Sequence, residues 1–382
     1  DVAPSRGLGD VYKRQPYILI YLNFIFNDAI PFLFFYPDVP ENIQYTTFTA
    51  AIINLSFLFL FRKQAQVPIS INLPLSSIKL NKKRKILLSC FVFFLLWAGV
   101  MSGVLINLLR GNNIEDLRRT SEIGVGVIRD IPMLGIQIIM LVLFLQKTWK
   151  CYYKVVAFYS FCLSVFLFLT TGNKGGVLVG VTLFLLFFHL KKRGFKWYEY
   201  VLYYLAMPLA AGTLQGIRGG DLTLIASQIA VFFSYPVILY QANSIPIMNA
   251  VGTENFFWGE EYYTGLVKFI PRFLWPDKPL SFDYKLKELA NYDFEGGGIY
   301  TTLCNDLYIN FGYYYFIFYI LWLLFIHYLY GMVMDDKRFY YSRIIALFII
   351  LMGGIASTIG SCEILLLFLL FLILYYSRVK TL

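Results

Sequence analysis

Charged residues are scarce in this sequence, making up 15% of the chain against a hydrophobic share of 58%. With a mean hydropathy of +0.63, the chain is too apolar for an ordinary water-soluble domain, so that class of protein is excluded. Histidine occurs only twice in 382 residues, and the five cysteines are scattered without a CxxC spacing. We therefore expect no structural metal site, no disulfide and no cofactor.

Long apolar runs are what the sequence has instead of charge. Runs of roughly 17 to 25 residues recur along nearly the whole length, and each can cross about 30 Å of hydrocarbon as a helix. They predict an all-α integral membrane protein, a polytopic bundle of about ten transmembrane helices with one long extracytoplasmic loop. The predicted helices cover residues 17 to 36, 43 to 61, 86 to 109, 131 to 146, 155 to 171, 176 to 190, 198 to 217, 307 to 330, 344 to 357 and 361 to 376.

The first fifteen residues differ in character from the rest. The string DVYKRQ, Asp10 to Gln15, resembles the translated transposon-end adapter that tags sequencing libraries, so we expect residues 1–15 to be a non-native tail. The remainder divides into three predicted regions. They are N-terminal transmembrane helices over 16–217, an extracytoplasmic loop with interfacial helices over 218–304, and C-terminal transmembrane helices over 305–382.

The basic residues indicate an orientation in the membrane. A net charge of +10 would suggest a nucleic-acid partner in a soluble protein, but here the Lys and Arg residues lie in short loops between apolar runs. They act there as topology signals, so we expect no nucleic-acid binding. If the basic loop of residues 62 to 85 is cytoplasmic, strict alternation places 19 Lys and Arg residues inside and 11 outside. This bias places residues 218 to 304 on the extracytoplasmic side.

Two segments of that long loop have helical character. Residues 222 to 241 carry no charge, which favours a re-entrant or interface-lying segment but also allows a further span. Farther on, Trp258, Tyr262, Leu266 and Phe269 recur at the spacing of one helix face, with Glu260, Thr264 and Lys268 on another. This pattern predicts an amphipathic helix in the membrane interface. Its rings serve either as an anchor or as a stacking surface for sugar.

Two glycine-rich turns carry candidate polar chemistry. In the string TGNKGG, residues 171 to 176, Asn173 and Lys174 belong either to a tight turn with a snorkelling lysine or to a site for an anionic head group. At the outer end of a later predicted helix, Arg218 is followed by two glycines and Asp221. A surface ion pair and a functional arginine explain that cluster equally well.

Two further strings contain the densest polar chemistry. FIPRFLWPDKP, residues 269 to 279, combines three prolines with Arg272 and Lys278, and such a rigid loop suits recognition of phosphate, although a plain capped loop has the same composition. CNDLYINFG, residues 304 to 312, places Asp306 at the start of an apolar helix. There the carboxylate either stabilises the helix, through capping and the macrodipole, or is a catalytic group.

The order of these strings supplies a resemblance. A TGNKGG turn, an arginine after the next helix pair, PRFLWPDKP and then NDLYINFG resemble the oligosaccharide repeat-unit polymerases, the Wzy-type O-antigen polymerases, over roughly residues 160 to 330. In that family a glutamate usually stands where this chain has Asp306, and an arginine often stands where it has Lys174. Both departures keep the charge.

The resemblance implies an activity, a location and partners. The reaction would polymerise undecaprenyl-pyrophosphate-linked oligosaccharide repeat units into O-antigen or capsular polysaccharide, without a nucleotide, outside the bacterial inner membrane. It implies Arg218 and Arg272, with Lys174 or Lys278, as cations for the leaving pyrophosphate, and Asp306 as the base. Membrane lipid, a chain-length regulator and a flippase are the other expected partners. Further substrate contacts are expected in the same strings from Asn173, Asp277, Trp275 and Tyr308.

Three other activities fit a polytopic membrane protein. An O-antigen ligase or an acyltransferase would be expected to carry an external histidine, whereas His189 and His327 both fall at predicted cytoplasmic helix ends. A flippase or other transporter would need polar residues along a path across the bilayer. The charges that can reach a cavity crowd the outer side instead, with Glu363 and Asn107 as exceptions.

Overall fold

The computed structural model describes residues 17–60, 197–218, 225–267, 274–279, 282–292 and 301–331, together with positions 223 and 270. Every regular element in these ranges is a helix. Outside them lie six of the predicted helices, at residues 86 to 109, 131 to 146, 155 to 171, 176 to 190, 344 to 357 and 361 to 376.

Two long helices open the described chain, α1 (Tyr17–Phe35) and α2 (Glu41–Leu60). After the first gap come α3 (Trp197–Arg218) and α4 (Ile225–Phe233), followed by α5 (Pro236–Val251). Two short helices, α6 (Glu260–Val267) and α7 (Phe282–Leu289), lie in the predicted external loop. The last described helices are α8 (Leu303–Phe311) and α9 (Tyr315–Gly331), joined by a single 3-10 turn at Gly312–Tyr314.

Three stretches in the described ranges are helical, long and apolar enough to cross a membrane: Tyr17–Phe35, Glu41–Leu60 and Leu303–Tyr328. The number rises to four if Ile225–Val231 and Pro236–Val251 together form one broken span. A break at Ser234 fits both a broken span and a re-entrant segment, the two alternatives that the sequence leaves open. The described part of the chain is thus helical and of membrane-protein character.

The start of α8 differs from the sequence prediction, which begins this span at residue 307. Helix α8 begins at Leu303 because Thr302, in extended conformation, is its N-cap. The Thr302 hydroxyl accepts a hydrogen bond from the Asn305 amide at 3.4 Å, and the Thr302 carbonyl accepts one from the Asp306 amide at 2.8 Å. Thr302 therefore satisfies the exposed amides of the first turn. Asp306 is therefore not the cap, but it lies in the first turn, where its charge interacts favourably with the helix dipole.

The predicted amphipathic helix is shorter than its sequence pattern. Helix α6 begins at Glu260, and the two residues before it have left-handed backbone, with φ of 50° at Trp258 and 84° at Gly259. A residue in that conformation does not continue a right-handed helix. Trp258 therefore lies outside the helix, and 66% of it is exposed.

The chain divides into two compact units. In the second unit, whose described residues are 203–218, 223 and 225–233, helices α3 and α4 approach each other through glycines. A Cβ atom at Gly212 would lie 2.5 Å from the Cα of Ile229, and one at Gly216 would lie 2.6 Å from the Ile225 side chain. Glycines four residues apart permit such close helix contacts in membranes.

The first unit contains the other described helices, and its contacts fix their directions. The hydroxyl of Tyr17 on α1 is a hydrogen-bond partner of His327 near the end of α9, so α1 runs antiparallel to α8 and α9. On α2, Thr46 contacts Asn305 and Asn54 contacts Tyr319, so α2 runs parallel to them. The end of α1 and the starts of α2 and α8 therefore meet at one end of the unit, which we call the Thr302 end. In the predicted orientation this end is extracytoplasmic.

Candidate functional site

Helix α8 is enclosed on all sides at the Thr302 end. Every residue from Cys304 to Asn310 is buried, including three polar ones, Asn305, Asp306 and Asn310, none of which is more than 1% exposed. Glu261 on α6 is buried to the same degree. Polar and charged side chains are costly in such surroundings and mark function more often there than at a surface.

Asn310 links the carboxylate of Glu261 to the backbone of α8 at Asp306. Its side-chain amide donates to Oε2 of Glu261 at 2.9 Å and to the backbone carbonyl of Asp306 at 3.0 Å. Asp306 and Asn310 are four residues apart and therefore share one face of α8. Glu261 is held against this face, since the amide of Phe257, just before α6, donates to the Ile309 carbonyl at 3.1 Å. We call Glu261, Asp306 and Asn310 the carboxylate cluster.

The other faces of α8 are fixed by hydrogen bonds to neighbouring helices. The Asn305 side-chain oxygen lies 3.1 Å from the Thr46 hydroxyl on α2, and the Tyr315 hydroxyl donates to the Thr46 carbonyl at 2.7 Å. Asn42, in the first turn of α2, donates to the carbonyls of Met248 at 2.7 Å and Gly252 at 3.2 Å. These bonds make the region around α8 rigid, as a preorganised site requires.

The buried polar atoms of α8 that have no hydrogen-bond partner in the described part of the chain include Nδ2 of Asn305, a donor, and Oδ1 of Asn310, an acceptor. Leaving a buried polar atom unpaired costs about 1 to 3 kcal/mol, so native proteins keep few of them. Asn305 faces α2 and Asn310 faces α6, so the two atoms lie on different faces of α8, and only Oδ1 of Asn310 belongs to the carboxylate cluster.

Tyr308, one of the predicted substrate contacts, belongs to the protein interior. Its ring is fully buried, its hydroxyl donates to the Gly252 carbonyl at 3.2 Å, and the Phe256 ring packs edge-on at 5.5 Å. The same phenylalanine explains the glycine of the NDLYINFG string. At Gly312 the backbone has a φ of 57°, and a Cβ atom would lie 2.6 Å from the Phe256 ring.

The predicted phosphate-binding residues are described only in part. In the PRFLWPDKP loop, Trp275 is half-buried, Asp277 is exposed, and the ammonium of Lys278 donates to the carbonyl of Ile270 at 2.9 Å. Arg272, Lys174 and Asn173 lie outside the described residues, and for Arg218, the last residue of α3, only the backbone is described. The roles of these residues stay predictions.

Two lysines of α7 lie near the candidate site, although they were not among the residues predicted from the sequence. On α7, which packs against α6, Lys285 forms an ion pair with Glu260, and Lys287 is buried with its ammonium 5.5 Å from the Tyr284 ring centroid. The string FDYKLKEL has the charge pattern of an exposed surface helix, so the burial of Lys287 has no signal in the sequence.

Comparison with known proteins adds no relative: no family model, no curated sequence and no solved structure matches this chain. Within the described ranges, His, Cys, Asp and Glu side chains form no group of three or more that would hold a metal ion.

Proposed function

We propose that this chain polymerises undecaprenyl-pyrophosphate-linked oligosaccharide repeat units into O-antigen or capsular polysaccharide, on the extracytoplasmic face of the bacterial inner membrane. One observation carries the proposal beyond the resemblance of its sequence strings. Asp306, at the position where the polymerases carry an acidic residue, is buried one helical turn before Asn310, whose side chain bonds to the buried carboxylate of Glu261, while Thr302 caps the helix. Capping therefore does not account for an acidic residue at this position, and the helix dipole, which favours an acid in the first turn, does not require its burial.

The proposed reaction needs a base and a stabilised leaving group. The acceptor hydroxyl attacks the anomeric carbon of the donor glycan, the bond from that carbon to the pyrophosphate oxygen breaks, and undecaprenyl pyrophosphate leaves with the electron pair. Asp306 takes the hydroxyl proton. Arg218 and Arg272, with Lys174 and Lys278, would offset the charge on the departing pyrophosphate. Glu261 would hold Asn310, and Tyr308 would hold α8 from within.

Asp306 is covered in the described state, with 1% of the residue exposed. The acceptor hydroxyl therefore reaches it only when a neighbouring element moves. Helix α6 is the element we expect to move, because it is short, it carries Glu261, and it follows Gly259 with its positive φ. When α6 returns to its described position over the bound acceptor, it would also exclude water, which otherwise competes with the acceptor sugar.

A transporter of lipid-linked glycans is the second candidate, because Asp28 is buried inside the first candidate span. Complementation separates the two functions. The chain is produced in one strain that lacks its polymerase and in another that lacks its flippase, each supplying a lipid-linked repeat unit. A ladder of polymer in the first strain alone is the expected result. Rescue of the flippase-deficient strain alone would establish the transporter and refute the polymerase.

The cation roles give a prediction in the same polymerase-deficient strain. Arg218→Ala and Arg272→Ala should each abolish polymer and leave single capped repeat units, because the leaving pyrophosphate loses its bidentate partner. Arg→Lys at each position should rescue only partly, since lysine lacks the planar fork. Normal ladders in both Ala variants, at equal protein level on immunoblots, would remove these arginines from the mechanism.

A further inference from the structure

A second buried polar site lies between α1 and the α8–α9 span, on another face of α8 from Glu261. It is a cavity whose wall includes Asn23, Asn27 and Asp28 of α1, Cys304 of α8, and Tyr319 and Trp322 of α9. One side is open, and the enclosed part has room for a group of about the size of a water molecule.

Asp28 is the unusual residue of this cavity. It is 5% exposed and lies inside the first candidate membrane span, in a π-helical turn formed by Ile25–Ala29. Single π-helical turns within α-helices occur frequently at functional sites, and a carboxylate in a membrane span is retained only where it has a use. Asp28 lies seven residues before Phe35, the end of α1, and beside Leu303 and Cys304 at the start of α8.

The chemistry of the wall selects the class of ligand. The Asp28 carboxylate supplies an acceptor and lies close to the Thr302 side chain. Asn27 supplies a donor, since its Nδ2 atom is buried without a partner among the described residues. The orphan N–H repels a metal cation and the carboxylate repels an anion, whereas a hydroxyl group, of water or of a sugar that displaces it, satisfies both by donating to one and accepting from the other.

The aromatic wall fits the same class. The ring centroids of Tyr319 and Trp322 lie 6.2 Å apart, and the angle between the ring planes is 8°. The Tyr319 hydroxyl donates to the side-chain oxygen of Asn54 at 2.9 Å, which holds this part of the wall in place. An apolar ring face beside a donor and an acceptor matches a sugar, which has both C–H and O–H groups. Because the enclosed space is small, a hydroxyl or hydroxymethyl group enters it and the rest of the ring stays at the opening.

We infer that this cavity is a glycan subsite, in which Asp28 and Asn27 bind one hydroxyl or hydroxymethyl group of the lipid-linked oligosaccharide. The inference rests on the proposed function and adds a binding position separate from the carboxylate cluster. Thr302 connects the two, because its side chain lies close to Asp28 and it caps the helix that carries Asp306. A glycan held at Asp28 therefore steadies the turn from which Asp306 acts.

Cys304 provides a test that is independent of turnover, because its thiol lines the cavity. In a chain whose other four cysteines are serine, N-ethylmaleimide should alkylate Cys304 slowly in membrane vesicles, because the reagent is larger than the enclosed space and reaches the thiol only when the surrounding helices move apart. The lipid-linked repeat unit should slow this reaction several-fold, and undecaprenyl phosphate without sugar should not. In Asp28→Asn, the concentration of repeat unit that gives half-maximal protection should rise by about tenfold or more, as expected when a hydrogen bond to a charged group is lost.

Polymer made by the same vesicles separates the two hypotheses. If polymer forms but the repeat unit leaves Cys304 unprotected, the subsite is refuted and the polymerase stands. If neither polymer nor protection of Cys304 appears with any repeat unit supplied, both the subsite and the polymerase function are refuted. Asn27→Ala is the second variant, in case Asp28→Asn does not fold, and it should raise KM while kcat stays close to the parental value. Asp38→Asn, in the exposed α1–α2 connection, is the matched control and should change neither KM nor kcat.

Discussion

Helices α8 and α9 belong to one candidate membrane span, yet they are built in opposite ways. In α8 every residue from Cys304 to Asn310 is buried, and three of them are polar. In α9 a single stripe is buried, Tyr315, Tyr319, Leu323 and Ile326, while large apolar residues such as Leu321, Leu324 and Phe325 are exposed. That stripe follows the period of a helix packed on one side. The first half of the span therefore carries polar chemistry inside protein, and the second half anchors it in lipid.

The largest expected effect comes from the polar half. Asp306→Asn should lower the rate of polymerisation about 100-fold to 10,000-fold, because asparagine does not accept a proton at neutral pH. Folding should be retained, since Thr302 caps the helix, and asparagine has nearly the size of aspartate and still accepts hydrogen bonds. The rate is measured with proteoliposomes and lipid-linked repeat units, with Asp38→Asn as control. A parental rate for Asp306→Asn would show that Asp306 is structural and that the base lies elsewhere, with Glu261 the first alternative.

The break between the two halves gives the next effect. Gly312→Ala should lower the stability of the folded protein by about 2 to 4 kcal/mol, because alanine resists a positive φ and its Cβ would meet the Phe256 ring at 2.6 Å. Thermal unfolding followed by size-exclusion chromatography measures the loss. In Gly312→Ala with Phe256→Ala the collision is gone and the backbone strain stays. If the double variant is no more stable than the sum of the two single changes predicts, the ring contact is not the cause.

The spans, the start of α8 and the buried carboxylates show which features of the structure the sequence predicts and which it does not. Apolar runs are enough to place α1 and α2, because lipid imposes the length of a span. The start of α8 was placed too late since Asn305 and Asp306 interrupt the apolar run, and hydropathy does not distinguish a polar residue in water from one buried in protein. The bond between Glu261 and Asn310 joins residues 49 positions apart, and Asp28 acquires its neighbours from α8 and α9. Such long-range contacts leave no local pattern.

A smaller effect is expected at the second carboxylate. Glutamine at position 261 still accepts a hydrogen bond from Asn310, but the bond is between neutral groups and is weaker by about 1 kcal/mol. Glu261→Gln should therefore reduce the polymerisation rate far less than Asp306→Asn does, by about tenfold or less. Initial rates of the two variants at saturating repeat unit give the comparison. The opposite order would exchange their roles, making Glu261 the base and Asp306 its support.

The smallest effect is expected on the lipid-facing side of α9, where two adjacent leucines form a matched pair. Leu323 is 1% exposed and Leu324 is 42% exposed. Lipid tails are as apolar as leucine, so removing the Leu324 side chain loses little packing, and Leu324→Ala should change stability by less than about 0.5 kcal/mol. Leu323→Ala leaves a cavity between helices and should cost about 1 to 2 kcal/mol, less than the same change in a water-soluble core because no transfer from water is involved. Unfolding temperatures of both variants in the same detergent test this. Equal losses would mean that another part of the protein covers Leu324, and α9 would then be an interior helix like α8 rather than the lipid-facing half of the span.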